Sequence, residues 1–175
     1  MIYFEQTTIG PFEINMDLEN KQLTHITFRK DDPTNAKKTA QMLPEAEKMI
    51  CTIVSQLQEY INGTRKDFNL DSYLSWLQNE STSTISRQQG TTFQKKVWRA
   101  LLTIPYGCIV SYSKVAEKIK HPHSVRAVAN AIADNPILLV IPCHRVIRKN
   151  GQLSGFSAGP ALKRQLLQLE QSVIA

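Results

Sequence analysis

The apolar positions of this chain fall first into short β-rich clusters and then into helical repeats. Ile2–Thr8, Phe12–Asp17 and Leu23–Phe28 are brief, β-rich and separated by Gly-Pro and Glu-Asn-Lys turn chemistry, which predicts a hairpin or meander. Pro44 then opens a helix in which Ala46, Met49, Ile50, Ile53, Leu57, Tyr60 and Ile61 recur at helical spacing, and Asn62-Gly63 supplies its end. Cys51 lies inside that helix and is expected to be structural, and His25 is expected to be an ordinary strand histidine. From Asn79 to Gly90 the composition shifts to Ser, Thr, Gln and Gly, as in a linker. The pattern divides the chain into a small α/β unit with a polar linker (1–84) and a mostly α unit (85–175).

The second unit has clear start and stop signals. Thr91-Thr92-Phe93-Gln94 matches a capping box, and Phe93, Val97, Ala100, Leu101 and Ile104 form one apolar face ended by Pro105-Tyr106-Gly107. Ser113 precedes a short helix whose Val115, Ala116 and Ile119 face inward. His121-Pro122-His123 reads as a turn, with Ser124 as N-cap of a helix over Val125–Asp134. That helix has Val125, Val128 and Ile132 on a buried face and Arg126, Ala127, Asn130 and Ala131 on the other. Two short helices joined by a tight turn suggest a helix-turn-helix. A last helix opens at Gly159-Pro160 and carries Glu170 on the side of Leu166 and Leu167, where a carboxylate needs a partner.

Charge sharpens this division. The net charge is +6, but residues 91–175 hold twelve Lys/Arg against three Asp/Glu, while residues 1–90 hold nine against twelve. A basic helical half beside an acidic α/β half points to a polyanion partner for the former. Three widely spaced cysteines, with no Cys-x-x-Cys, argue against a zinc ribbon or disulfide framework and for a reducing, cytoplasmic compartment. No signal peptide or membrane-spanning apolar run is visible.

The candidate chemistry is concentrated at Pro142-Cys143-His144-Arg145-Val146. It follows Asn135-Pro136 and the apolar, strand-like run Ile137–Ile141, and it precedes an Asn150-Gly151 turn. A free cysteine titrates near 8.5, so a nucleophilic thiolate needs help from neighbours such as His144, Arg145 and Arg148. If Asn150-Gly151 is a two-residue hairpin loop, Arg145 faces Phe156, His144 faces Ser157 and Cys143 faces Ala158.

Around that pentapeptide, Phe93-Gln94-x-x-Val97-Trp98, Ile104-Pro105-Tyr106-Gly107, Val110-Ser111-Tyr112, Arg126-Ala127-Val128 and Asn135-Pro136 occur in fixed order. The series resembles the O6-alkylguanine-DNA alkyltransferases (methylated-DNA–protein-cysteine methyltransferases), from about Thr91 to Glu170. The resemblance implies a ribonuclease H-like N-terminal domain and a helix-turn-helix C-terminal domain. It implies repair of O6-alkylguanine, and of O4-alkylthymine, in double-stranded DNA by a single irreversible transfer to Cys143. His144 would draw off the thiol proton through a water and Glu170 would orient it, with Asn135 tying the recognition helix to the active-site loop. Tyr112 and Arg126 would extrude the nucleotide, with Ser124, Ala127 and Asn130 also on the minor groove. Val146, Ser157, Ala158 and Ile132 would line the base pocket, Ser157 donating to the leaving O6 and a small Ala158 leaving room. Arg145 would be structural, through an ion pair or helix-end contact.

Two departures from the family are visible. Asp71–Thr84 is longer and more polar than usual between the two parts, and the zinc ligands of some relatives have no counterpart, so neither metal nor cofactor is expected. The protein is expected to act as a monomer. Two other readings remain: a non-catalytic sensor of alkylated DNA, which would lack the reactive cysteine, and a Cys-His hydrolase, which would need an oxyanion hole and turnover.

Overall fold

The structure, a computed structural model, describes residues 1–29, 44–78, 90–153 and 155–172. Its N-terminal part is an antiparallel meander in the order β1 (Ile2–Thr7), β2 (Gly10–Asp17), β3 (Gln22–Phe28). Alternation sets its faces: Phe12, Ile14 and Met16 of β2 all point into the core. Gly10 turns the first hairpin at φ 118°, where any Cβ would lie 2.4 Å from the Phe28 ring, so both conformation and space demand glycine. Helix α1 (Pro44–Ile61) covers the sheet, and every residue expected on its apolar face is buried. Cys51, expected to be structural, lies exposed on the outer side of α1.

Of Asp71–Thr84, the part up to Gln78 lies among the described residues. Asp71–Leu74 forms a 3-10 turn and Ser75–Gln78 a short helix, α2, burying Leu74, Trp76 and Leu77. Trp76 donates its indole N–H to the Leu23 carbonyl at 2.9 Å and meets Trp98 edge to face, 6.0 Å between ring centres. These two tryptophans lock the first part to the second, and the apolar core runs without a break through both. The expected linker lies outside the described residues except for Gly90.

Helix α3 (Thr92–Leu102) opens on the expected reciprocal capping box of Thr91 and Gln94. Helix α4 spans Tyr112–Lys118, two residues earlier than the Ser113 signal suggests, because the Ser111 side chain caps Lys114 N–H. Lys120, at φ 63°, closes α4 in a Schellman arrangement, with His121 N–H bonding to Ala116 carbonyl at 2.9 Å. Helix α5 spans Val125–Ala133, with Ser124 at the N-cap position but without the expected side-chain bond. Val128 and Ile132 are buried as expected; so is Ala131, whose carbonyl accepts from the Trp98 indole at 2.7 Å and which therefore does not share the outer face.

The run Ile137–Ile141 is buried but is not a strand. Ile137 makes one parallel bridge to Ile26 of β3, and the chain then coils through Leu139 at φ 69°. A left-handed leucine is costly, and such strain collects near functional sites. The expected two-residue hairpin at Asn150-Gly151 does not form either: Arg148 N–H bonds to the Gln152 carbonyl at 3.1 Å, closing a three-residue loop, and no ladder follows among the described residues. The turn closes one residue earlier, with Gly151 N–H on Arg148 carbonyl, and Val146–Ile147 (β5) instead pairs in parallel with Val110–Ser111 (β4). Cys143–Arg145 is a 3-10 turn, so Cys143, His144 and Arg145 do not face Ala158, Ser157 and Phe156 in a ladder. Helix α6 (Pro160–Ser172) completes the fold.

Candidate active site

Two successive tight turns deliver Cys143. Pro142, at φ −80° and ψ 62°, forms an inverse γ-turn in which Cys143 N–H bonds to Ile141 carbonyl at 2.8 Å. The thiol is 3% exposed. Asn135, just past the end of α5, holds it from the side: its Nδ2 donates to Cys143 Sγ at 2.9 Å and to Ile141 carbonyl at 2.8 Å. Its Oδ1 accepts from Ile137 N–H at 3.0 Å, so one side chain ties the end of α5 to the cysteine loop. Burial pushes the Cys143 thiol up to about 11, against the opposing pull of the Asn135 hydrogen bond and the Lys163 charge. The resting cysteine is a protonated thiol.

His144 is fully buried, and its Nε2 lies 2.6 Å from Glu170 Oε1. Burial holds the imidazole below its usual range although Glu170 pulls the other way, so it rests neutral. With Nε2–H donated to the carboxylate, Nδ1 carries the free lone pair, and among the described residues it has no partner. Burial raises the Glu170 carboxyl, but its pairing with His144, the Tyr60 hydrogen bond and the Arg145 charge outweigh it and hold the group down to about 2. Arg145 Nε donates to both carboxylate oxygens at 3.0 Å, Gly107 N–H adds a bond of 2.7 Å, and Arg145 Nη1 caps the Ile104 carbonyl at 2.6 Å. Arg145 therefore makes both an ion pair and the helix-end contact.

The sequence pattern did not single out Tyr60 or Lys163. Tyr60 reads as one more apolar position of α1, yet its hydroxyl donates to Glu170 and lies 3.1 Å from His144 Nε2. Lys163 is fully buried and donates to the Val146 carbonyl at 2.5 Å; burial lowers its pKa while Cys143 raises it. A signal for Lys163 was present, since it interrupts the inward stripe of Leu162, Leu166 and Glu170.

The remaining expected residues lie around this centre. Ile132 and Val146 are buried beside it. Tyr112 begins α4 half-buried, its hydroxyl 3.5 Å from where a Cβ on Gly155 would stand. Arg126, Ala127 and Asn130 share the exposed face of α5, with Ser124 half-exposed at its start. Ser157 is exposed and Ala158 half-buried in the turn before α6, and neither is paired across to the cysteine segment.

A thiol braced by an amide, beside a hydrogen-bonded histidine–carboxylate pair and the end of an exposed helix, is the arrangement that a cysteine nucleophile needs. Comparison with known proteins narrows the class. Residues 92–172 match the DNA binding domain of 6-O-methylguanine DNA methyltransferase, and residues 3–71 match its ribonuclease-like domain. A methylated-DNA–protein-cysteine methyltransferase of Methanosarcina mazei is 35% identical over 88% of this chain and 87% of its own length. One from Mycobacterium bovis is 42% identical over 68% of this chain; the match spans 64% of that relative's length. Mycobacterium tuberculosis OGT, crystallised in complex with DNA, is 33% identical over 97% of this chain and 92% of its own, with a TM-score of 0.73. The chain belongs to the 6-O-methylguanine DNA methyltransferase family.

Proposed function

We propose that this protein repairs O6-alkylguanine in double-stranded DNA by moving the alkyl group to Cys143. The observation that carries this is the joining, through Asn135, of the buried thiol to the end of a helix whose outer face shows Arg126, Ala127 and Asn130. The thiol proton passes toward His144 Nδ1, the sulfur attacks the alkyl carbon, the carbon–O6 bond breaks and guanine leaves with the electron pair. Glu170, already ionised, steadies the imidazolium that forms. Because the resting thiol sits near 11, its deprotonation belongs to the chemical step rather than to the resting state. The product is a thioether, a poor leaving group, so each molecule reacts once.

The N-terminus of α5 faces phosphate favourably. Arg126 fills the space of the extruded nucleotide, Tyr112 crowds its phosphate, and Ser157 donates to the leaving O6. Among the described residues no helix is long and apolar enough to cross a membrane. The three free cysteines suit the reducing cytoplasm.

Two measurements test this. With methylated duplex in excess, alkyl transfer will plateau at one equivalent per protein, and mass spectrometry will place the adduct on Cys143; steady turnover past one equivalent would sink the proposal. Arg126→Ala will slow transfer from duplex DNA by roughly tenfold or more, since only the duplex needs a nucleotide held out of the stack at a few kcal/mol. Transfer from free O6-methylguanine base will change by less than about twofold. Equal losses on both substrates would move Arg126 into the chemistry or the fold.

A further inference from the structure

We infer that Tyr60, supplied by the N-terminal unit, is a positioning residue of the active site: its hydroxyl fixes the tautomer of His144 and the orientation of Glu170. This rests on the transfer to Cys143 proposed above and extends it into the part of the chain that holds none of the motif residues.

The geometry is specific. Tyr60 stands in the last turn of α1, is fully buried, and reaches across to the turn of His144 and to α6. Its ring is held by Phe68 (5.1 Å between centres), Tyr106 (5.7 Å) and the His144 imidazole (6.5 Å). Its hydroxyl bonds to Glu170 Oε1, the same oxygen that accepts from His144 Nε2 and Arg145 Nε. Burial and the Glu170 charge push the phenol far above its usual range, so it acts only as a donor.

A phenol has one hydrogen, and here it goes to the carboxylate. The hydroxyl oxygen facing His144 Nε2 at 3.1 Å is therefore an acceptor, and both neighbours of Nε2 demand that it carry the proton. Nδ1 is left bare, as proton transfer from Cys143 requires. Without the hydroxyl, one of the two acceptors at Nε2 is gone and the carboxylate loses one of its donors, becoming more basic. The other groups around the pair are Tyr106 from the loop after α3, Arg145 and Cys143 on the same turn, and Lys163 from α6. None of them offers Nε2 a second acceptor.

The test uses the full chain, with free O6-methylguanine base and methylated duplex DNA as substrates. Tyr60→Phe keeps the ring and removes the oxygen. It will slow transfer on the order of tenfold on both substrates, because His144 and Glu170 are no longer held in one arrangement, and it will shift the acid limb of the rate profile to higher pH, because a more basic carboxylate favours the imidazolium. Phe68→Leu, which loosens the same ring without touching a hydrogen bond, will lower thermal stability and leave the acid limb in place. An unchanged rate and profile in Tyr60→Phe overturns the inference, as does an equal shift in Phe68→Leu. Nitrogen-15 NMR of histidine-labelled wild type is independent of any variant: it will show His144 as the Nε2–H tautomer, and an Nδ1–H tautomer overturns the inference. Failure of wild type itself to gain an adduct on Cys143 would instead count against the transfer reaction.

Discussion

Cys143→Ala will bring alkyl transfer to zero while leaving affinity for duplex DNA within about twofold of wild type. The two functions separate because they use different surfaces. The sulfur is buried, and Asn135, which donates to it, keeps its bond to the Ile141 carbonyl when the thiol is gone. Removing a small buried group leaves a void that costs roughly 1 kcal/mol, too little to unfold a domain of ordinary stability. Affinity comes instead from phosphate contacts by the basic half, which holds twelve Lys/Arg against three Asp/Glu. Binding measured by fluorescence anisotropy will therefore fall steeply with salt, in the variant as in wild type. A folded variant that no longer binds duplex would show that α4 and α5 are not the DNA-facing pair.

How much of this was legible in the chain depends on whether the controlling contact was local. The meander, α1 and the capping box of α3 were readable, because period-two and period-3.6 patterns and a Thr-x-x-Gln cap act over a few residues. Asn150-Gly151 also announced a turn. Its partner was not readable, because Val146–Ile147 is recruited by Val110–Ser111 from across the fold rather than by the chain after the turn. The same holds for Trp76: four helical residues in a polar stretch carry no periodic signal, and only the Leu23 carbonyl and the Trp98 ring explain why they fold. At the site, Cys143, His144, Asn135 and Glu170 were legible as motif residues. Tyr60 was not, because an inward tyrosine on an apolar stripe looks the same whether its hydroxyl meets a buried carboxylate or nothing. Its two partners lie 84 and 110 positions away in the chain.

Glu170→Ala will cost about 3–5 kcal/mol of folding stability at neutral pH, because it strands buried charge and polarity together. Arg145 would keep only its Ile104 carbonyl bond, Gly107 N–H would lose its acceptor, and the Tyr60 hydroxyl and His144 Nε2–H would each lose a carboxylate partner. Glu170→Gln will fare little better, since its amide turns donors toward donors. The carboxyl is held down to about 2 from the ordinary 4.5 of a free glutamate, so the group stabilises the fold fully above pH 4.5 and its contribution drains away as pH falls from there toward 2. That displacement is worth on the order of 3 kcal/mol, in line with the cost of breaking a buried pair. His144 adds in the same direction: its folded pKa is depressed, so stability is lost as pH falls below the range of an ordinary imidazole. Urea midpoints of wild type will therefore decline through acid, while Glu170→Gln starts low and declines less between pH 4.5 and 2. A variant within 1 kcal/mol of wild type at pH 7, or a wild type whose midpoint is flat down to pH 3, would contradict this account of the carboxylate.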